Sequence, residues 1–239
     1  MEKLQKFQVL ISCLIITFGI LIASVIFASK ISKDENITVT GSAYKVVKSD
    51  SAKLGFSIRT RKLNQKEAYA HLKKQTPEVI EYLNSKGIEE IETKSINGYN
   101  VFRQNERGYS TNEIIAYDAS LHFEIKSNDV LKIREISTDI QDLINKGINV
   151  EVYSPEYFYS DLASIKIDLL KEAGTDAKQR AASMLSATGA KVGKVKSMRM
   201  GVFQITPVES TMVSDMGIND TSSIDKKVTA VANVVFKVK

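Results

Sequence analysis

From Val9 to Ala28 the chain runs twenty residues without a charge, and Leu, Ile, Val and Phe dominate. A helix of that length, at about 1.5 Å per residue, matches the roughly 30 Å hydrocarbon core of a bilayer. Apolar on all sides, such a helix has no face suited to water, so it must be covered by lipid or by protein. This run therefore divides the chain into a short tail at 1–6, a transmembrane anchor at 7–28, a linker at 29–36 and a polar domain at 37–239. The polar part is long enough for one large or two small cores.

The anchor competes with a cleavable signal. Signal peptides carry a shorter apolar region that ends in a small-x-small site. Here Ile26 and Phe27 precede Ala28 and Ser29, which fits cleavage poorly. The run thus reads as a retained anchor or an uncleaved signal. Leu10-Ile11-Ser12-Cys13 resembles a lipoprotein acylation site, but most of the apolar run follows the cysteine rather than preceding it. Lys3 and Lys6 on one side balance Lys30 and Lys33 on the other, so positive charge does not set the orientation. The short tail and the long following domain favour a tail left inside.

The net charge of +5 is concentrated at the front, where residues 1–33 carry +3. The near-neutral remainder argues against nucleic acid as a partner, since that needs a clustered basic surface. Cys13, inside the apolar run, is the sole cysteine, so the polar domain has no disulfide, thiol nucleophile or thiolate metal site.

Past the linker, period-two patterns begin. Ile37, Val39 and Gly41 share one strand face, and Ala52, Leu54, Phe56 and Ile58 share another, with a turn at Lys48-Ser49-Asp50. Asn64 and Glu67 form a capping box for a helix carrying Ala68, Leu72, Val79, Ile80 and Leu83 inward, with Pro77 expected to kink or divide it. Gly87 ends that helix. A strand at Ile91–Ser95, a turn at Asn97-Gly98 and a hairpin loop over Arg103–Asn112 follow. Tyr117, Ala119, Leu121, Phe123 and Ile125 then alternate with polar residues, marking a strand with one buried face. Ser127 or Asn128 caps a second helix with Val130, Ile133, Ile140, Leu143 and Ile144 on one face, stopped by Gly147. A strand at Ile148–Val152 precedes a long helix from Asp161 to Thr188 whose inner face carries Leu162, Ile165, Leu169, Ala173, Ala177 and Leu185. The chain closes with a strand from Val192 to Ile205, a polar loop over Pro207–Asp225 and a strand alternating from Val228 to Val238.

The predicted fold class is α+β: an antiparallel or mixed sheet with helices on one face. Its middle, Ala52–Val152, reads β-α-β-β-α-β, the ferredoxin-like split arrangement.

No motif names a reaction. His71 and His122 have no partner at metal-ligand spacing, and phosphate-binding loops and nucleophile elbows are absent from the sequence. The expectation is a chain without catalytic, cofactor or metal residues. Tyr153, Tyr157, Phe158 and Tyr159, gathered around Pro155, stand out. Two readings are open. Alternate rings pack on the sheet and cover its edge, as strands favour aromatics anyway. Or the rings form an exposed surface for a sugar or a partner chain.

Ile37-Thr-Val-Thr-Gly41, Ser85-Lys-Gly-Ile88, Lys171-Glu-Ala-Gly-Thr-Asp-Ala177, Lys178-Gln-Arg-Ala181 and Gly189-Ala-Lys-Val-Gly-Lys-Val195 together resemble the SIMPL-domain proteins, which include bacterial periplasmic immunogenic proteins. The chain departs in having Ser49-Asp50 where a proline is usual, and Gly174 where a larger helix former is usual. The resemblance implies an α+β envelope domain without established catalytic residues, with some members forming ring- or channel-like oligomers and some tied to oxidative-stress defence. The expected protein is single-pass in a bacterial cytoplasmic membrane, its large domain extracytoplasmic, on the periplasmic or cell-surface side. It would serve as a self-associating, non-enzymatic scaffold with the bilayer and its own copies as partners. The alternative is a binding module for cell-wall glycan, peptide or small molecule through Tyr153–Tyr159.

Overall fold

Two long alternating strands, Ser51–Lys62 and Ser110–Ser127, pair antiparallel over eleven residues, from Ala52↔Ser127 to Lys62↔Tyr117. In the computed structural model, which describes residue 11, residues 14–26 and residues 35–239, their buried faces carry most of the core. The elements in order are helical residues 14–26 (α1), β1 (Asn36–Lys48), β2 (Ser51–Lys62), α2 (Gln65–Ser85), β3 (Glu90–Thr93), β4 (Asn97–Gln104), β5 (Ser110–Ser127) and α3 (Val130–Asp139). A 3-10 helix (Ile140–Lys146) follows, then β6 (Asn149–Val152), β7 (Glu156–Phe158), α4 (Leu162–Ser186), β8 (Val192–Met200), β9 (Gln204–Pro207), β10 (Ile218–Asn219) and β11 (Asp225–Val238).

Among the described residues no helix is long and apolar enough to cross a membrane. The expected anchor at 7–28 lies partly outside the described residues. Within α1 the apolar side chains are exposed, Ile15 at 68 % and Phe18 at 66 % among them.

The chain divides into two compact units, residues 1–42, 172–201 and 231–239 in one and 43–171 with 202–230 in the other. The α+β class holds, but the strands form two sheets rather than one.

The larger unit contains a six-stranded sheet in the order β3-β5-β2-β6, with β4 also on β5 and β7 also on β2. Because β5 runs antiparallel to both β2 and β3, it lies between two parallel strands, which is the split ferredoxin-like arrangement. Ala52, Leu54, Phe56 and Ile58 of β2 meet Leu121, Phe123 and Ile125 of β5 on the face covered by α2 and α3. Phe56 and Phe123, both wholly buried, stack with ring centroids 4.9 Å apart and planes 1° from parallel. This unit also holds β9, paired parallel with β10 and antiparallel with Lys226–Thr229 of β11.

Local expectations fared unevenly. Asn64 Oδ1 accepts from the Glu67 N–H at 3.0 Å, so the helix cap is as read. Pro77 does not divide α2, which runs unbroken from Gln65 to Ser85. One lost hydrogen bond is outweighed by Leu72, Val79 and Leu83, all fully buried on either side. Gly87, at φ 74°, ends α2, and the Ile88 N–H returns to the Leu83 carbonyl at 3.1 Å.

Asn97-Gly98 is not a turn: it begins β4, opposite Ser120 and Ala119 of β5. Glycine is required there by space, since a Cβ on Gly98 would lie 2.7 Å from the Tyr117 ring. The hairpin loop accordingly shrinks to the residues between Gln104 and Ser110. The cap of α3 is Asp129, whose carboxylate accepts from the Lys132 N–H; Ser127 supports it by accepting from the Asp129 N–H. Ile144 is 54 % exposed, because the change to a 3-10 helix at Ile140 breaks the 3.6-residue period that placed it inward.

In the smaller unit, residues 192–200 (β8) run antiparallel to the second half of β11, from Ala232↔Met200 to Val238↔Val192. β1 pairs with β11 as well. Ala173, Ala177 and Ala181 of α4 are fully buried, as the alanine spacing predicts.

Candidate functional site

The four aromatics singled out in the sequence do not share one surface. Tyr157, on β7, points into the core and is 6 % exposed, with its N–H donated to the Thr221 carbonyl. Its neighbour Phe158 points the other way, as strand alternation requires, and is 38 % exposed. Tyr159 is half-buried beyond the end of β7. Tyr153 lies just past β6 on the polar face of the sheet.

Tyr153 has specific company. Its ring lies 5.6 Å from that of His122, and a Cβ on Gly55 would touch both rings at 3.2 Å. The two rings thus cover the gap a side chain would fill in mid-strand. Ser57, buried in β2, brings its hydroxyl to 3.1 Å from the Tyr153 hydroxyl and 3.4 Å from His122 Nδ1. Burial holds the His122 imidazole below its ordinary range, with Lys94 adding to the effect and Glu124 and Glu92 opposing it.

Two residues along β5, Glu124 gathers three ammonium groups: Lys126 at 3.3 Å, Lys53 at 3.9 Å and Lys94 at 4.0 Å. Burial pushes the Glu124 carboxyl up, but those cations outweigh it and hold it below the usual range. Lys53 also meets Glu156 at 2.8 Å. A cavity of about 560 Å³ opens beside them, lined by Lys53, Glu124, Lys126, the Gly87–Glu90 turn and Phe158.

A Ser–His contact invites comparison with a nucleophile and its base. Ser57 is 4 % exposed at the centre of a sheet, beneath two rings. An attacking hydroxyl must reach its substrate, so this geometry does not suit acyl transfer. Among the described residues no three His, Cys, Asp or Glu side chains are grouped to hold a metal ion.

The segment after β9, read as a plain polar loop, is tightly organised. Asp220 accepts from the N–H and hydroxyl of Ser222 and of Ser223, while Lys226 donates to the Asp220 carbonyl at 2.6 Å. Burial alone would raise the Asp220 carboxyl; these donors and the Lys226 ammonium instead bring it down to about 2. Burial lowers Lys226 in turn, against the pull of Asp220. The only sequence signal was Lys226 at an inward position of β11, with Asp220-Thr-Ser-Ser223 as a source of partners.

The SIMPL family, described as a protein of unknown function (DUF541), matches residues 37–236. The chain belongs to the SIMPL family. That match covers both compact units apart from residues 1–36 and the last three. No curated protein sequence matches the chain. Among solved structures, it is similar to an amidase of the hydantoinase/carbamoylase family from Burkholderia phymatum, at 11 % identity and a TM-score of 0.30. The likeness covers 50 % of this chain and 32 % of that one, and carries no argument about the SIMPL domain's activity.

Proposed function

We propose that this SIMPL protein is a membrane-anchored, non-catalytic scaffold of the bacterial envelope that self-associates through free sheet edges. The observation that carries the reading is β8. Among the described residues this nine-residue strand pairs with β11 alone, and Val195, Met198 and Met200 on it are 55 %, 50 % and 59 % exposed. An open edge of that length offers a row of unpaired N–H and carbonyl groups to another strand. β1, which among the described residues pairs with β11 alone, supplies a second edge.

Lys194 and Arg199 lie on β8, so two β8 strands would repel one another. Joining β8 of one copy to β1 of the next avoids that repulsion. Such a head-to-tail contact closes into rings when the rotation allows.

Anchoring is supported by α1, whose exposed apolar side chains surround a helix that has no polar stripe. A role in envelope or oxidative-stress defence rests on the family resemblance alone. The glycan-binding alternative loses its platform, since Tyr157 and Phe158 point in opposite directions.

Light scattering on the full chain in detergent tests self-association. Wild type should form a defined multimer, and Val195→Lys with Met200→Lys should reduce it to a monomer with an unchanged melting temperature. A monomeric wild type at high concentration would remove the proposal.

A further inference from the structure

Residues 37–239 contain no cysteine and no tryptophan, so methionine supplies all their redox-active sulfur. Methionine commonly fills gaps in cores. Here Met184, Met198, Met200, Met212 and Met216 are each at least half exposed, and no methionine is buried among the described residues. An oxidant therefore meets these thioethers at the surface, while the aliphatic side chains of the core offer it nothing to attack.

Two of the five hold a position that matters for assembly. Met200 stands opposite Ala232 and Met198 opposite Val234 in the β8–β11 ladder. Directly paired residues share a sheet face, and Ala232 and Val234 are buried. Met198 and Met200 thus continue the buried face of the smaller unit onto its edge strand. Met198 rests on α4 where Gly174 has no side chain, its Cε 3.0 Å from where a Cβ would stand. Cover ends there, which leaves both thioethers half open. A strand added to β8 would extend the same face and close over them.

We infer that Met198 and Met200 are sites of reversible oxidation to the sulfoxide, by which a peroxide blocks the joining of β8 to another copy. This regulation rests on self-association through β8. The sulfur lone pair attacks one oxygen of the peroxide: the S–O bond forms, the O–O bond breaks, and the departing hydroxide takes up a proton to leave as water. Sulfur gives up two electrons and the peroxide accepts them. A dithiol reductase reverses the step, its thiols supplying two electrons and closing to a disulfide while the oxygen leaves as water. The sulfoxide oxygen is a polar acceptor, and covering it without a donor opposes the contact that the bare thioether favours.

Light scattering and peptide mass spectrometry on the full chain in detergent test this, with hydrogen peroxide as the oxidant and a Cys13→Ser background. Protein carrying sulfoxide at Met198 and Met200 should associate at least about tenfold more weakly than untreated protein, with an unchanged circular dichroism spectrum. A pair of methionine sulfoxide reductases, one for each sulfur epimer, should restore association. Met198→Leu with Met200→Leu keeps apolar bulk without sulfur. That variant should associate equally before and after peroxide, although Met184, Met212 and Met216 still oxidise. Undiminished association of protein oxidised at both sites would overturn the inference while leaving self-association standing. So would resistance of both thioethers to peroxide, loss of association in the oxidised leucine variant, or unfolding on oxidation. A monomeric untreated protein would remove self-association itself, and this regulation with it.

Discussion

Gly41 of β1 lies so close to Ala177 of α4 that a Cβ at position 41 would stand 2.4 Å from the Ala177 backbone nitrogen and 2.7 Å from its methyl group. The Ala173 carbonyl oxygen would be closer still, at 2.1 Å. The obstacle is helix backbone, which cannot swing aside. The contact is fastened next door, where the Ser42 N–H donates to Asp176 at 2.7 Å and Arg180 donates to the same oxygen at 2.8 Å. Gly41→Ala should therefore cost about 3 kcal/mol, the upper range of overpacking. Gly174→Ala should do the reverse. There the nearest obstacle is the end of the flexible Met198 side chain at 3.0 Å, and alanine gains up to about 1 kcal/mol of helix propensity. Thermal melts of both variants test the pair. A Gly41→Ala protein as stable as wild type would refute the close packing.

The Phe56–Phe123 stack sits at the crossing of the two central strands with no exposed surface on either ring. Phe56→Ala should lose about 4 kcal/mol, from transfer and from the cavity left behind. Phe56→Leu should lose roughly half as much. Denaturant titration measures both, and a loss under about 1 kcal/mol for Phe56→Ala would show that the core closes over the gap.

Acid should act through Asp220. Its folded carboxyl titrates at about 2, below its ordinary 3.8, so its stabilisation is fully present above that ordinary value and is lost as pH falls through 2. That stabilisation is about 2 kcal/mol in a side chain almost fully covered. Asp220→Asn should remove the corresponding slope between pH 4 and pH 2. It also strands the Lys226 ammonium, 3 % exposed, at a cost of about 3 kcal/mol at neutral pH. Adding Lys226→Met should recover part of that cost. Failure of the double variant to exceed Asp220→Asn in stability would show that the pair is not a coupled unit.

His122 should titrate below 6.5, by proton NMR of its ring, because burial and Lys94 disfavour the cation more than Glu124 and Glu92 favour it. The sign for stability follows. The unfolded chain takes up the proton first, so stability falls as pH drops from 6.5 through the folded pKa and stays level above 6.5. Tyr153→Ala, which uncovers the imidazole, should move its pKa back toward 6.5. No movement would mean that the Tyr153 ring contributes nothing to its burial.

Where a residue's neighbours in sequence carry the information, the structure mostly agrees with the pattern; Pro77 inside α2 and the cap of α3 at Asp129 are the exceptions. Alternation at Ala52–Ile58 and Tyr117–Ile125, the Asn64–Glu67 cap and the Gly87 stop are local effects of side-chain period and backbone sterics, and each is present. The misreadings are of another kind. Asn97-Gly98 looks like a turn until Tyr117, nineteen residues beyond Gly98 in sequence, occupies the space above it. Ile144 looks inward until the helix tightens at Ile140. Of the candidate site, the aromatic cluster was visible but its dispersal was not, because the direction of each ring depends on where β7 joins β2.

The apolar run from Val9 to Ala28, the α+β class and the split order of the central strands can be read from the residues alone. Periodicity is a property of the chain, and burial of a matching face leaves it few folds to enter. Folding alone brings Ser57, His122 and Tyr153 together over Gly55 and sets Asp220 against a buried Lys226. Those groups come from separate strands and loops. Their chemistry arises from distances of a few ångströms that no local spacing records.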